Sequence, residues 1–446
     1  MGTRGTVGRA AAALLALLLA GCATPCAGEP PECGAANDDD AANDDDATDD
    51  DDAVDDDDAT DDDDDDATDD DDAIDDDDAA DDDDAANDDD AADDDDALDD
   101  DDGADDDDAT PPPPGVLGPT LLINTDTDVA PTPITQAYLD LINATAAGDE
   151  LISLQKYFKN TAITSALIEA VRRGVAVTAI YRDEVDPTCP SLLGAGPSID
   201  CAATFIQVPD VHHKNVMVRH PDGSIDALVG SYNLRERDAQ DPRVHTLLSF
   251  SVEPGTDVWS LYSGEAERLL TGTEPGTPLQ VTVPVEPGGQ LSFTLHPHPS
   301  NPVAELLQQV STCVGPLWLS YFTAFPDTVG SPVVTEVARL AAAGCDARLL
   351  YEADLLNQVM AGSFALNGGE AREPDWTTSA DGLLGHKITA VDDGTTAWIT
   401  QGSANLTVVD QQTTQHNLTL LLQGPSGQAP HSDIQAAVRS ELLRYW

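Results

Sequence analysis

Apolar residues in the later three quarters of the chain follow two periods in turn. Ile134, Ala137, Tyr138, Leu141 and Ile142 recur at the spacing of one helical face, as do Ile163, Ala166, Leu167, Ala170 and Val171. Short apolar runs flank these stripes: "LLIN" at 121–124, "ELISLQKY" at 150–157 and "VAVTAIY" at 175–181, each the length of a buried strand. Gly174 stands where the second stripe should stop. Strands alternating with helices predict an α/β fold with a mostly parallel mixed sheet covered on both faces.

The same order then returns. "LSFTL" (291–295) precedes a stripe at Val303, Leu306, Leu307 and Val310, and "PLWLSYF" (316–322) reads as a strand. Val333, Val334, Val337, Leu340 and Ala341 form a helical stripe ended by Gly344, and "ARLLY" (347–351) is the strand after it. Gly344 lies 170 positions beyond Gly174, so the pattern predicts a duplicated domain, with one lobe over 116–285 and a second over 286–446.

Neither period extends into the first 115 residues. Positions 37–108 are almost entirely Asp and Ala, with 47 aspartates; removing their charge from the net −67 leaves −20 for the rest. Such a tract buries no apolar surface and repels itself, which predicts a disordered, extended tether over 22–115. About 90 residues at roughly 3.3 Å each would reach on the order of 300 Å. The tract lacks the Asp-x-Asp-x-Asp-Gly alternation of a calcium loop. A solvated spacer is the expectation and loose cation binding the alternative. Pro111–Pro114 close the tether with a stiff segment.

The first 21 residues read as an export signal, with Arg4 and Arg9 ahead of a short apolar run. The run ends in "LAGC", which resembles a bacterial lipobox. That resemblance implies a lipid anchor on Cys22, and Ala23 after it implies the outer membrane, on its periplasmic or surface face. Six cysteines remain, an even number for an oxidising compartment. Of fifteen pairings the local choice is Cys26–Cys33, Cys189–Cys201 and Cys313–Cys345, with free buried thiols as the alternative. No Cys/His spacing suits zinc, so no metal is expected.

Each copy carries a related stretch: "HHKNVMVRHPDGSIDALVGSYNL" (212–234) and "GHKITAVDDGTTAWITQGSANLT" (385–407). Both predict a strand, a tight turn ("PDG", "DDG") and a return strand ending in Gly-Ser-x-Asn. The two lysines, Lys214 and Lys387, are 173 positions apart, close to the glycine offset. With its duplicated His-x-Lys and Gly-Ser-x-Asn inside a repeated βα frame, the chain resembles the phospholipase D superfamily over about 121–446.

That resemblance implies two lobes packed face to face around one phosphoryl site. His212, Lys214 and Asn233 from one lobe and Lys387 and Asn405 from the other would be catalytic, with Ser231, Ser403, Asp392 and His386 binding phosphate or supporting it. One histidine attacks phosphorus, the other protonates the leaving oxygen, and no cofactor takes part. The residue types suit this chemistry, because imidazole forms a covalent phosphoenzyme while ammonium and amide groups stabilise the phosphoryl oxygens. Strand alternation puts His212 and Lys214 on one face and His213 on the other.

The sequence departs from the family pattern at named places. Position 385, two before Lys387, is glycine, and the adjacent His386 should point away from the site. Arg219 stands where the first copy should have Asp, whereas Asp392 fits in the second. No carboxylate is evident in "VHTLLSF" or "HNLTLLL" after the two Gly-Ser-x-Asn segments. His296 and His298 in "LHPHPSNP" are candidates to replace the lost acid, with a loop role as the alternative; Asp126 and Asp128 read as a solvated turn.

Three functions follow as expectations. The leading one is a membrane-anchored phosphodiesterase that hydrolyses or transfers a phospholipid head group. The second is a phosphate- or anionic-lipid-binding lipoprotein without turnover, and the third a structural lipoprotein. Only 17 Lys and Arg lie outside the export signal. That acidic balance counts against a nuclease and against nucleic acid as a partner. Nothing in the sequence sets the oligomeric state.

Overall fold

The computed structural model describes residues 113–124, 131–182, 188–196, 199–204, 210–235, 244–272, 279–299, 301–324, 326–327, 329–352, 355–374, 384–407, 411 and 415–446. The segment expected to be an export signal, Cys22, Cys26, Cys33, the Asp tract, Asp126 and Asp128 lie outside them. Residues 111–446 form one compact unit.

Its first half runs β1 (Val116–Asn124), α1 (Pro133–Ala144), β2 (Glu150–Gln155), β3 (Phe158–Lys159), α2 (Thr161–Arg173), β4 (Ala176–Arg182), α3 (Thr188–Leu193), β5 (Ile199–Thr204), β6 (Asp210–Val211), β7 (Lys214–Arg219), β8 (Ile225–Gly230), β9 (Leu234–Arg235), β10 (His245–Val252) and α4 (Val258–Thr271). After β11 (Gln280–Val285) the second half runs β12 (Gly289–His296), α5 (Pro302–Gln309), β13 (Leu317–Tyr321), α6 (Gly330–Ala342), β14 (Ala347–Tyr351), α7 (Leu355–Leu366), β15 (Glu370–Arg372), β16 (Lys387–Asp392), β17 (Thr396–Gly402), β18 (Gln415–Pro425) and α8 (His431–Arg444).

Both helical stripes and their repeats fold as the periodicity predicts. Ile163, Ala166, Leu167, Ala170 and Val171 are all buried on α2, which begins where the Asn160 side chain accepts the Ile163 amide and ends at Gly174, φ 94°. Asn301 caps α5 in the same way, accepting the Ala304 amide. Each motif hairpin turns at a glycine with φ 90°, Gly223 and Gly394, where a side chain would be strained.

One sheet carries both halves, in the order β15-β14-β13-β16-β17-β18-β12-β11-β1-β10-β8-β7-β2-β4-β5. On either side of β11 the corresponding strands follow one another in mirrored order, so the halves are related by a pseudo-twofold. The parallel pairing expected from strand–helix alternation joins β2, β4 and β5, and again β13, β14 and β15. The motif hairpins pair antiparallel beside those blocks, toward the middle of the sheet. Helices α1 and α2 pack Ile134, Tyr138, Ile163 and Leu167 onto the first half. Helices α5 and α6 pack Leu306, Leu307, Val333 and Val337 onto the second. A third apolar core draws on both halves, including Val229, Leu248, Ile399 and Leu420, with Phe250 edge-on to Phe293 at 5.7 Å. Burying that shared surface is what holds the halves as one body.

Cys313 and Cys345 form a disulfide, one of the expected local pairs. Cys201 is also disulfide-bonded; the side chain of Cys189 lies outside the described part.

Candidate active site

Each motif begins at the seam between the halves. Val211, the end of β6, runs parallel to the start of β18 opposite His416, and the His212 amide donates to the His416 carbonyl at 2.9 Å. The second half repeats the arrangement. Leu384 bridges Val244 in parallel, and the Gly385 amide donates to the Val244 carbonyl at 2.9 Å. The head of each motif is therefore laid against the strand that follows the other half's Gly-Ser-x-Asn, which brings the two half-sites together.

Both lysines open their strands at this seam, Lys214 paired with Gln155 and Lys387 with Tyr321. Both are buried. Lys214 Nζ lies 3.2 Å from His212 Nε2 and donates to the His212 carbonyl at 3.1 Å. Lys387 Nζ lies over the Phe322 ring, 5.5 Å from its centroid. A third buried lysine, Lys156, follows Gln155, its amide donating to the His213 carbonyl at 2.7 Å.

His212 is oriented from across the seam. Its Nδ1 lies 2.7 Å from Asn417 Oδ1. An amide oxygen only accepts, so Nδ1 carries the hydrogen and Nε2 holds the lone pair. Asn417 Oδ1 also accepts from Ser403 Oγ at 3.0 Å, and Ser403 Oγ accepts the Leu418 amide at 3.0 Å. The first half uses the same frame with other residues. Ser231 Oγ accepts the Thr246 amide at 3.1 Å and lies 3.3 Å from His245 Nδ1. Fourteen positions separate Ser231 from His245 and Ser403 from Asn417, so His245 and Asn417 are counterparts. Gln401 and Thr246 join the clusters, the Gln401 amide donating to the Thr246 carbonyl and Thr246 Oγ1 to Gln401 Oε1, both at 2.8 Å. The two motif asparagines are also buried. Asn405 Oδ1 accepts the Thr323 amide at 3.4 Å, while buried Asn233 Oδ1 has no hydrogen-bond partner among the described residues.

Behind the cluster, α4 supplies a buried carboxylate. Glu265 accepts from His213 Nε2 at 2.8 Å, His416 Nδ1 at 3.0 Å and Arg268 Nε at 2.8 Å. Burial pushes the Glu265 carboxyl up, but the bonds from His213 and His416 outweigh it and hold it well below the ordinary carboxylate range. Burial lowers His213, against the pull of Glu265. The pair therefore stands as a neutral imidazole donating to a carboxylate, with Asn215 Nδ2 donating to His213 Nδ1 at 3.3 Å. This is the packing role that strand alternation implies for His213.

Three expectations are corrected. His386 is the counterpart of His213, not of His212: its Nδ1 lies 3.2 Å from Ser320 Oγ inside the second half. Burial, with Lys387 adding to it, lowers it to about 3, so it carries no proton to donate at neutral pH. Asp392 does not support the phosphate cluster. It ends β16, about 16 Å along the strand from Lys387, where it accepts the Gly394 amide at 2.8 Å and the Ser426 hydroxyl at 2.9 Å and so shapes the hairpin. His296 is not a loop residue. It is buried at the end of β12, lowered by burial to about 4, with Nδ1 3.0 Å from the Gln411 carbonyl and Nε2 3.0 Å from Thr419 Oγ1. His298 is half-buried beyond it, its amide donating to the Gln411 carbonyl at 2.9 Å.

His245, Asn417, Glu265 and Lys156 were not singled out by sequence. The equal fourteen-residue spacing after each Gly-Ser is the signal that finds the first two. A surface groove of about 240 Å³ between α4 and the outer face of β2 and β4, lined in part by Glu150, Thr178, Trp259 and Glu267, holds none of the motif side chains.

No protein-family model matches the sequence, and no curated protein matches it. Solved structures do. Phosphatidylserine synthase from Haemophilus influenzae is 12% identical, with a TM-score of 0.49 over 74% of this chain and 87% of that one. A polyphosphate kinase from Porphyromonas gingivalis is 14% identical, with a TM-score of 0.45 over 73% of this chain; the match spans about half, 49%, of the kinase. Nuc from Salmonella typhimurium, a phospholipase D family member, is 14% identical with a TM-score of 0.26 and is 95% covered by 34% of this chain. The resemblance to the phospholipase D superfamily rests on the doubled frame and on the two Lys and Gly-Ser-x-Asn sets that meet at its seam.

Proposed function

We propose that this chain is a phosphodiesterase of the phospholipase D type, with His212 as nucleophile, acting on phospholipid head groups by hydrolysis or transfer. The observation that supports it is the orientation of His212. Asn417 of the other half holds Nδ1–H, so the lone pair on Nε2 is presented beside the Lys214 ammonium. Attack of that lone pair on phosphorus forms an N–P bond and breaks the P–O bond to the leaving alcohol. Lys214 and Lys387 stabilise charge on the phosphoryl oxygens, with Asn233 and Asn405 as amide donors and Ser231 and Ser403 fixing the residues that face the seam. Water or a second alcohol then takes the phosphoryl group from His212.

The lipid substrate belongs to the same proposal. An export signal and a lipidated Cys22 would hold the protein on the envelope membrane, where phospholipid surrounds it, and the acidic tether would set the body's distance from that surface. A second reading, binding of a phosphate or lipid head group without turnover, draws on Gly385, which leaves the second motif without its histidine.

Turnover of bis(p-nitrophenyl) phosphate and of mixed phospholipid vesicles by the full chain separates them. Activity that vanishes in His212→Ala and persists in His213→Gln supports the enzyme. Head-group binding weakened in Lys214→Ala and Lys387→Ala, with no product from the wild type, supports the binder.

A further inference from the structure

We infer that His245 supplies the second imidazole of the reaction, delivering the proton to the leaving oxygen in place of the histidine absent from position 385. The inference rests on the phosphodiesterase reading above and names a residue that the motif pattern does not contain.

The two half-sites place one backbone slot and one side chain in corresponding positions. In one, residue 212 heads the motif and residue 417 faces it; in the other, residue 385 heads the motif and residue 245 faces it. The first pairing is His212 with Asn417, in contact at 2.7 Å. The second is Gly385 with His245. A Cβ built on Gly385 would lie 2.3 Å from both Nδ1 and Cε1 of His245, far inside van der Waals contact. The imidazole thus fills the space that a side chain at 385 would enter, and glycine at 385 is the residue that admits it. The two substitutions are complementary: a histidine removed from the motif head and a histidine placed where its supporting partner would stand. Each half-site keeps one imidazole at the seam.

The ring is also held for such a role. Ser231 Oγ lies 3.3 Å from Nδ1, Tyr232 packs against it at right angles with centroids 5.3 Å apart, and the Thr246–Gln401 bonds tie its strand to the opposite half. Nε2 is the nitrogen opposite the one beside Ser231. His386 and His296 have no comparable place: His386 Nδ1 lies beside Ser320 Oγ, and both ring nitrogens of His296 are engaged, by the Gln411 carbonyl and Thr419 Oγ1.

The proton balance closes on these two rings. His212 Nε2 attacks phosphorus as the P–O bond breaks, and the His245 imidazolium gives its proton to the departing oxygen, becoming neutral. In the second step neutral His245 takes a proton from the entering water, the P–N bond breaks, and both rings return to their starting states.

The test compares hydrolysis of bis(p-nitrophenyl) phosphate, whose leaving group needs little protonation, with that of diphenyl phosphate, whose leaving group needs more. In His245→Asn and His245→Gln, diphenyl phosphate turnover should fall by roughly 10²–10⁴-fold while the p-nitrophenyl ester falls far less. The double variant Gly385→His/His245→Asn, which rebuilds the His212–Asn417 pairing on the other side, should recover diphenyl phosphate turnover to a large part of the wild-type rate. Equal losses on both esters, or none, with His212→Ala inactive, would overturn the role of His245 and leave the phosphodiesterase reading standing. A wild type that hydrolyses neither ester would overturn both.

Discussion

His386 lets the assignment of the buried histidines be tested through stability. Its counterpart His213 donates to a carboxylate, but the partner of His386 Nδ1 is the neutral Ser320 hydroxyl. Burial, with the Lys387 charge beside it, lowers it from 6.5 to about 3. The unfolded chain therefore takes up a proton near pH 6.5 that the folded chain refuses until near pH 3. A folded pKa below the unfolded value makes the neutral state the one that folding stabilises. That contribution is whole above pH 6.5 and is lost as pH falls. At pH 5 the gap is about 1.5 pK units, or about 2 kcal/mol. His386→Gln keeps a group able to bond Ser320 and cannot titrate. Urea unfolding of the full chain, followed by tryptophan fluorescence from pH 7.5 to 5, should show wild type losing about 2 kcal/mol more than the variant. Parallel stability profiles for the two proteins would refute the burial argument. Loss of phosphodiester turnover in His386→Gln, with that profile unchanged, would instead make His386 a proton donor. His213 and His296 are shifted the same way, so the wild type should be acid-labile from below pH 6.5. His220 opposes them: burial lowers it, but Asp226 and Asp149 outweigh that and raise it, so its contribution is lost as pH rises through its folded value.

Glu265→Gln removes the charge on which His213, His416 and Arg268 converge. It should lower stability by about 3–5 kcal/mol, read as a fall in Tm; an unchanged Tm would mean that the network contributes nothing to folding. Cys22→Ser should move the protein from the membrane fraction to the soluble fraction after cell breakage, and retention with the membrane would remove the lipid anchor from the proposal.

The elements that sequence disclosed are those with local causes. A helical stripe such as Ile163–Val171 is amphipathic whatever surrounds it, and Asn160 and Gly174 mark its ends through caps made within one turn. The hairpins were legible because Gly223 and Gly394 take a backbone conformation that few other residues tolerate. Duplication was legible because each copy repeats those signals in order. Lys214 and Lys387 could be named because they sit beside strand starts that alternation fixes to one face. Asp392 was misjudged for the converse reason: its place in a repeated motif says nothing about the length of strand separating it from the lysine.

The pairings at the seam belong to the tertiary structure alone. Residues 212 and 417 are 205 positions apart, and 245 and 385 meet only because each half lays its motif head on the other half's strand. No propensity or period links such residues, since the energy that joins them is the burial of a core shared by β8, β10, β12, β17 and β18. The sequence alone determined which groups could serve a phosphoryl site and that two sets existed. Folding decided which histidine faces which lysine, because direction and distance across a seam are set by packing rather than by neighbours in the chain.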